Sequence, residues 1–179
     1  MLSSLSKLLT VDLATFDVLP ISRQLLWLVA PKGSRWDASM DVPLADLAQE
    51  PFVFYGESLA LSDLVLNACR GAGFTPTIVG RSGHWDFMAA LVQAGVGIAL
   101  LPAPYCRRLD INAFTCRPVV APEIHWDMAV GWRRNGYLSN AARAWLEVVR
   151  QTLPANLGDD FLQGPAERFL ARVRDAAPR

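Results

Sequence analysis

The chain has 179 residues, 52% of them apolar and 19% charged, a composition that excludes disorder over most of its length and provides for one domain with its own core. Seventeen basic residues balance seventeen acidic ones, which leaves no electrostatic footprint for tight nucleic-acid binding. No apolar run reaches the roughly 18 residues of a membrane-crossing helix.

The first stretch, MLSSLSKLLTVDLATF, is mildly amphipathic, and its late lysine and Asp12 make it a poor secretory signal. The cytoplasm is the expected compartment. Pro20 and Pro31 bracket ISRQLLWLVA, whose Leu25–Ala30 core predicts a short buried strand. KGSRWDASMD is a polar loop, and PLADLAQ, opened by Pro43, predicts one or two helical turns. PFVFYG is an aromatic, branched strand stopped by Gly56. In ESLALSDLVLNACRGAG, Leu61, Leu64, Val65 and Ala68 recur at the three- and four-residue steps of an amphipathic helix, with Gly71 and Gly73 as stop residues.

PTIVG predicts the next strand. SGHWDFMAALVQAG predicts a helix with Ser82 as N-cap and Gly95 as C-cap, and VGIALLP a further apolar strand. Strand, helix, strand, helix, strand from Pro51 to Pro102 implies parallel strands with crossover helices. A turn follows near Tyr105–Leu109, then FTCRPVV as an edge strand. HWDMAVGWRR predicts a strand with Trp126, Met128, Val130 and Trp132 inward. Ser139 caps a helix over Asn140–Leu153, and GPAERFLARVRDAAPR predicts a last short helix.

Gly95-Val96-Gly97 has the look of a phosphate loop, but it lies between a helix and a following strand. A phosphate cradle needs the opposite order, with a helix N-terminus facing the anion. Gly95 is therefore expected as a left-handed C-cap, and Gly97 as a point of close backbone approach.

In an open α/β sheet a ligand binds outside the carboxyl ends of the strands, near helix N-termini. That rule selects Gly56, Glu57, Ser58 and Leu59 after the first strand of the run, Gly80, Arg81, Ser82, Gly83, His84 and Trp85 after the second, and Pro102, Ala103 and Pro104 after the third, with Gly56, Glu57, Ser58, Leu59, Ser82, Gly83, His84, Trp85 and Pro102 as the candidate contacts. Serine hydroxyls and backbone amides suit a carboxylate head, while Leu59 and Trp85 suit an apolar body. Each residue also has a plain structural explanation: Ser58 and Ser82 as caps, Glu57 as a helix-dipole partner, His84 as a solvated loop residue, Trp85 as core.

Catalytic and metal signals are weak. Cys69, Cys106 and Cys116 have no ligand spacing, so a disulfide framework, a metal site and a cofactor are not expected, and buried reduced thiols are. His125 and Asp127 share a strand face and can touch, with no nucleophile near them in sequence.

Six segments in register, LWLVAPKGSRW, VPLADLAQEPFVFY, ACRGAGFTPTIV, MAALVQAGVGIALLPA, WDMAVGWRR and YLSNAARAWLEVVRQ, resemble the effector-binding domain of LysR-type transcriptional regulators. The resemblance covers about Pro20 to Leu153. It implies a Rossmann-like lobe of the type 2 periplasmic-binding-protein-like fold, an α/β parallel sheet with flanking helices. It also implies a small-molecule effector such as a carboxylate or aromatic metabolite, a homo-oligomer, and DNA contact only through a helix-turn-helix that this chain does not contain.

Against that pattern, residues 1–19 stand as a segment outside the match and 154–179 as an extension. Residues 20–153 supply mostly lobe two, with the last strand and helix returning to lobe one. The helix Asn140–Leu153 then shows an apolar face of Ala141, Trp145, Val148, Val149 and Leu153, expected to be covered by the N-terminal segment, the last helix or a partner chain. The alternative is a stand-alone solute-binding or protein-interaction module of the same fold.

Overall fold

A computed structural model of the chain describes residues 15–156. The first 14 residues and those from 157 onward lie outside the described part, and with them most of the expected N-terminal segment and the expected last helix. The described residues form two compact units, one built on Gln24–Trp126 and the other on residues 15–23 with residues 127–156.

In the first unit, strand β1 (Phe16–Pro31, from Gln24 on) is the spine. It pairs antiparallel with β5 (Ala99–Pro102), Leu26 opposite Pro102 and Val29 opposite Ala99. On its other side it pairs antiparallel with β6 (Phe114–Val120), Trp27 opposite Pro118 and Pro31 opposite Phe114. A short strand β2 (Val42–Pro43) lies parallel to β6, so the strand order is β2-β6-β1-β5. Strands β5 and β6 therefore run in the same direction on either side of β1, joined by the one-turn helix α3 (Ala103–Cys106). FTCRPVV is an interior strand rather than an edge strand, because β2 takes the outer position.

Strands β3 (Pro51–Tyr55) and β4 (Thr77–Ser82) form the parallel pair that the sequence implies, Pro51 opposite Thr77 and Tyr55 opposite Ser82. Phe52 bridges in parallel to Ile98 on the other side of β3. Val53 N–H donates to Ile98 O, and Ile98 N–H to Pro51 O, each at 2.8 Å. The carboxyl ends of β3, β4 and the chain entering β5 thus point the same way. Helices α1 (Ala60–Gly71) and α2 (Trp85–Gln93) complete the unit. Leu61 and Val65 of α1 and Met88, Ala89 and Val92 of α2 are buried with Phe52, Phe54, Tyr55, Leu26, Leu28, Leu100 and Leu101. Each fully buried side chain of this kind is worth about 1.5–3 kcal/mol of transfer free energy.

The paired glycines behave as their position between helix and strand requires. Gly95 has φ +76°, and Val96 N–H reaches back to Leu91 O while Gly95 N–H reaches Val92 O, a left-handed helix stop. At Gly97 a Cβ atom would stand 2.4 Å from Pro51 O. Only glycine lets the chain pass there and pair with β3.

Other local expectations are corrected. The strand expected over Leu25–Ala30 is sixteen residues long and includes Pro20. Proline is tolerated in a strand where its missing N–H is not needed by the ladder. PLADLAQ forms its helical turn as a four-residue 3-10 helix, Leu44–Leu47, directly after β2. Strand β4 continues through Gly80, Arg81 and Ser82, because Tyr55 still has Ser82 as its ladder partner.

In the second unit, the first half of β1 lies with the later part of β7 (His125–Arg133) and with α4 (Asn140–Asn156). Ser139 Oγ accepts from Ala142 N–H at 3.2 Å, the expected cap. No residue of β7 is buried: Trp126, Met128, Val130 and Trp132 are all partly exposed. Helix α4 buries Leu146 and half-buries Ala142 and Val149, while Trp145 and Val148 are 52% and 58% exposed. The inward face is thus Ala142, Leu146 and Val149 rather than the stripe centred on Trp145. The side chain of Leu153 lies outside the described residues.

Candidate functional site

Strands β3 and β4 end side by side. Gly56 N–H donates to Ser82 O at 3.0 Å, so Gly56–Leu59 and Gly83–Trp85 leave the sheet as adjacent segments. Leu59 N–H closes a turn onto Gly56 O at 3.0 Å, and Leu59 is the N-cap of α1. His84 is the N-cap of α2. Neither helix carries a side-chain cap bond. The serines are therefore not the caps they resemble in sequence. Ser82, still in the strand, uses its hydroxyl to accept from His84 N–H at 3.0 Å and fixes the turn into α2. Ser58 is exposed in the turn before α1. Pro102 is buried in the ladder opposite Leu26. The Tyr55 hydroxyl donates to Leu100 O at 2.5 Å and ties the ends of β3 and β5 together.

Sequence reasoning missed several neighbours of this edge. Trp85 meets Tyr105 of α3 edge-on, ring centroids 5.6 Å apart, and Trp126 edge-on at 5.9 Å. The Tyr105 hydroxyl donates to Asp86 Oδ1 at 2.7 Å, linking α3 to the first turn of α2. Burial and this bond to a carboxylate raise the Tyr105 phenol above its ordinary range. Trp85 is thus part of a three-ring cluster that packs against the core without being sealed in it.

Arg81, which the strand-end rule places here without a role, is anchored by several contacts. Its guanidinium donates to Tyr55 O at 3.0 Å, lies 5.5 Å from the centre of the Phe54 ring and stands 3.6 Å from the Glu57 carboxylate. Glu57, otherwise 83% exposed, thereby has a cation beside it. The strand-end rule brings Arg81 to this edge, and the alternation of β4 puts it on the face opposite Gly80 and Ser82.

The His125 and Asp127 pairing expected from the strand face does not form. Asp127 is held by Arg23 through bonds of 2.6 and 2.7 Å, and His125 Nε2 lies 3.1 Å from Glu123 Oε2. In the second unit, a cavity of about 380 Å³ is lined by Thr15, Arg133, Arg134, Asn135 and Gly136. None of the candidate ligand residues lines it. It is a shallow hollow behind a turn, and the convergent polar and aromatic groups expected of a ligand site lie instead at the sheet edge.

The LysR substrate binding domain family matches residues 8–154. The HTH-type transcriptional regulator YwbI of Bacillus subtilis (strain 168) is 38% identical over 138 residues, 77% of this chain and 46% of that protein. The chain therefore spans less than half the length of this relative. Among solved structures, the effector binding domain of QuiR in complex with shikimate superposes with a TM-score of 0.71 at 17% identity, over 82% of this chain and 69% of that one. The Synechocystis PCC6803 CcmR regulatory domain in complex with 2-PG superposes with a TM-score of 0.70 at 14% identity, over 78% and 67%. At such identities the two structures speak for the fold, a LysR regulatory domain of the periplasmic-binding-protein type. Among the described residues, no helix is long and apolar enough to cross a membrane. The chain belongs to the LysR substrate binding domain family, the effector-binding part of LysR-type transcriptional regulators.

Proposed function

We propose that the chain senses a small carboxylate or aromatic metabolite at the carboxyl ends of β3, β4 and β5, as the effector-binding part of a longer LysR-type regulator. The observation that carries this reading is the convergence of two helix N-termini without side-chain caps, at Leu59 and His84, beside the Trp85, Tyr105 and Trp126 rings. Uncapped first-turn amides favour an anionic head, and ring faces and edges favour an apolar body. The contact set is Gly56, Glu57, Ser58, Leu59, Ser82, Gly83, His84, Trp85 and Pro102. Arg81 offsets the charge of Glu57 next to an anion. The QuiR and CcmR domains, titled as complexes with shikimate and 2-PG, support a small-molecule effector.

In this reading the role is binding and not catalysis, and the compartment is the cytoplasm. DNA contact belongs to a helix-turn-helix elsewhere in such a regulator. The protein works as a homo-oligomer, a reading supported by the exposed Trp145 and Val148 on α4.

Thermal-shift titration of the chain against small carboxylates and aromatic acids tests the proposal. A ligand that binds only the native state stabilises it by RT ln(1 + [L]/Kd), about 2.7 kcal/mol at a hundredfold excess over Kd. A panel with no shift at millimolar ligand rejects the sensor reading.

A further inference from the structure

The hollow of the second unit, about 380 Å³, is lined by Thr15, Arg133, Arg134, Asn135 and Gly136. Its volume falls within the range of pockets that hold organic ligands, about 300–1,000 Å³. Its lining does not suit such a guest, because it includes no hydrophobic residue and no carboxylate. Backbone bonds hold the walls in place. Arg134 N–H donates to Thr15 O at 2.9 Å, and Gly136 N–H to Arg133 O at 3.0 Å. The end of β7 therefore stays beside the start of β1, and the chain turns tightly after Arg133.

The charges of this unit are unevenly matched. Among its described residues the acids are Asp17, Asp127 and Glu147, and the bases are Arg23, Arg133, Arg134, Arg143 and Arg150. Asp127 is held by Arg23 at 2.6 Å, and Asp17 by Arg134 at 3.0 Å. Glu147 accepts from Gln151 at 2.9 Å. Arg143 donates to Leu138 O at 3.1 Å, and the Arg150 guanidinium lies 5.8 Å from the centre of a Trp132 ring. Arg133 is exposed at the hollow and has no carboxylate partner among the described residues. A chain with equal numbers of basic and acidic residues thus carries a local excess of positive charge here.

We propose that this hollow binds a small tetrahedral oxyanion, free phosphate or sulfate, with Arg133 as its charge partner and the Asn135 amide as a second donor. The arginine fork matches two oxygens of such an anion, and charge-assisted bonds of this kind are about twice as strong as neutral ones. Arg134 adds positive field from the wall and offsets Asp17, the carboxylate to which it is bonded. A nucleic-acid backbone is a poorer fit. Tight binding there requires several phosphates to be neutralised at once, and a hollow with Arg133 at its edge engages one. The hollow belongs to a different unit from the strand ends after β3, β4 and β5, and the inference does not rest on the effector reading.

The test titrates the full chain into inorganic phosphate at constant ionic strength, set with sodium chloride, and follows the phosphorus NMR line width. The expected result is saturable broadening with the wild type, reversed by sulfate and not by acetate. Arg133→Gln should weaken binding about tenfold. Arg70→Gln, which removes an exposed arginine of α1, should leave it unchanged. Phosphate and sulfate also stabilise proteins by exclusion from their surfaces, but exclusion gives no saturable broadening. Absence of saturable broadening with the wild type overturns the proposal and needs no variant, so an Arg133→Gln chain that fails to fold does not affect that outcome. Equal binding by folded Arg133→Gln and wild type also overturns it. So does displacement of phosphate by a short DNA duplex at a lower total phosphate concentration, which would assign the hollow to a nucleic-acid backbone.

Discussion

Arg23 and Asp127 meet as a two-point ion pair, Nε to Oδ1 at 2.6 Å and the second guanidinium nitrogen to Oδ2 at 2.7 Å, across 104 residues of sequence. Their side chains are 11% and 25% exposed, so water screens the pair only partly. The bond from Asp127 holds the Arg23 guanidinium in its charged form. Asp127→Asn leaves this cation half-buried with a weaker partner, and we expect a loss of about 1–3 kcal/mol in urea unfolding. Replacing both residues by apolar ones of similar size should recover part of that loss. A neutral result for Asp127→Asn would mean that the pair contributes nothing to the fold.

Gly97 and Gly95 are two residues apart and are expected to respond differently to alanine. Gly97→Ala places a methyl 2.4 Å from Pro51 O, inside the ladder that joins β3 to the strand entering β5. The strands must then move apart, at about 1–3 kcal/mol or more. Gly95→Ala meets nothing within 4 Å and incurs only the left-handed backbone penalty, about 1 kcal/mol. Chemical denaturation of the two variants should rank Gly97→Ala as the more damaging.

Asp37 supplies a pH dependence. Its carboxylate accepts from the buried Thr115 hydroxyl and from Gly33 N–H at 3.0 Å, with Lys32 Nζ at 3.5 Å. These bonds, led by Thr115, lower its pKa in the folded chain. A depressed carboxyl pKa stabilises the fold above the unfolded value, and that contribution is lost as the pH falls through the folded value. Tm of the wild type should therefore fall on acidification below about pH 4. Asp37→Asn should start lower at neutral pH and lose less over the same acid range. Parallel acid curves for the two proteins would exclude Asp37 as a contributor.

For the ligand edge, Trp85→Ala should abolish any ligand-induced thermal shift, and Ser58→Ala should reduce it with little change in the Tm of the free protein, because Ser58 is exposed and caps no helix. Tyr105→Phe removes only the bond to Asp86 and should alter affinity less than Trp85→Ala. Calorimetric titration with whichever acid shifts the wild type distinguishes the three.

Much of the first unit was legible because its signals are local. The apolar positions of α1 and α2, the glycine after α2 and the β3–β4 alternation each follow from a few neighbouring residues. The antiparallel course of β1 depends instead on two strands that lie far along the chain, and no periodicity reports it. Tyr105 and Trp126 were missed for the same reason: each reaches the edge from a different element. On α4 the sequence offers two overlapping apolar stripes, one through Trp145 and Val148 and the other through Ala142 and Leu146, with Val149 common to both. Size favours the tryptophan stripe, but the helix turns Leu146 inward. Ser82 resembles a cap because it precedes a helical pattern, yet the ladder to Tyr55 holds it in the strand.

Ladder pairing between β3 and β4 stops at Tyr55 and Ser82, and that between β1 and β5 at Pro102. Most of the side chains proposed to face a ligand begin where those bonds end. The fold therefore tolerates substitution of Glu57, Ser58 or His84 without loss of a sheet hydrogen bond. Such a scaffold can acquire a new chemical preference in a few steps, each nearly silent for stability. For directed evolution of a biosensor, randomising the turns after β3 and β4 while leaving Tyr55, Gly97 and Leu100 untouched should yield libraries in which most members still fold.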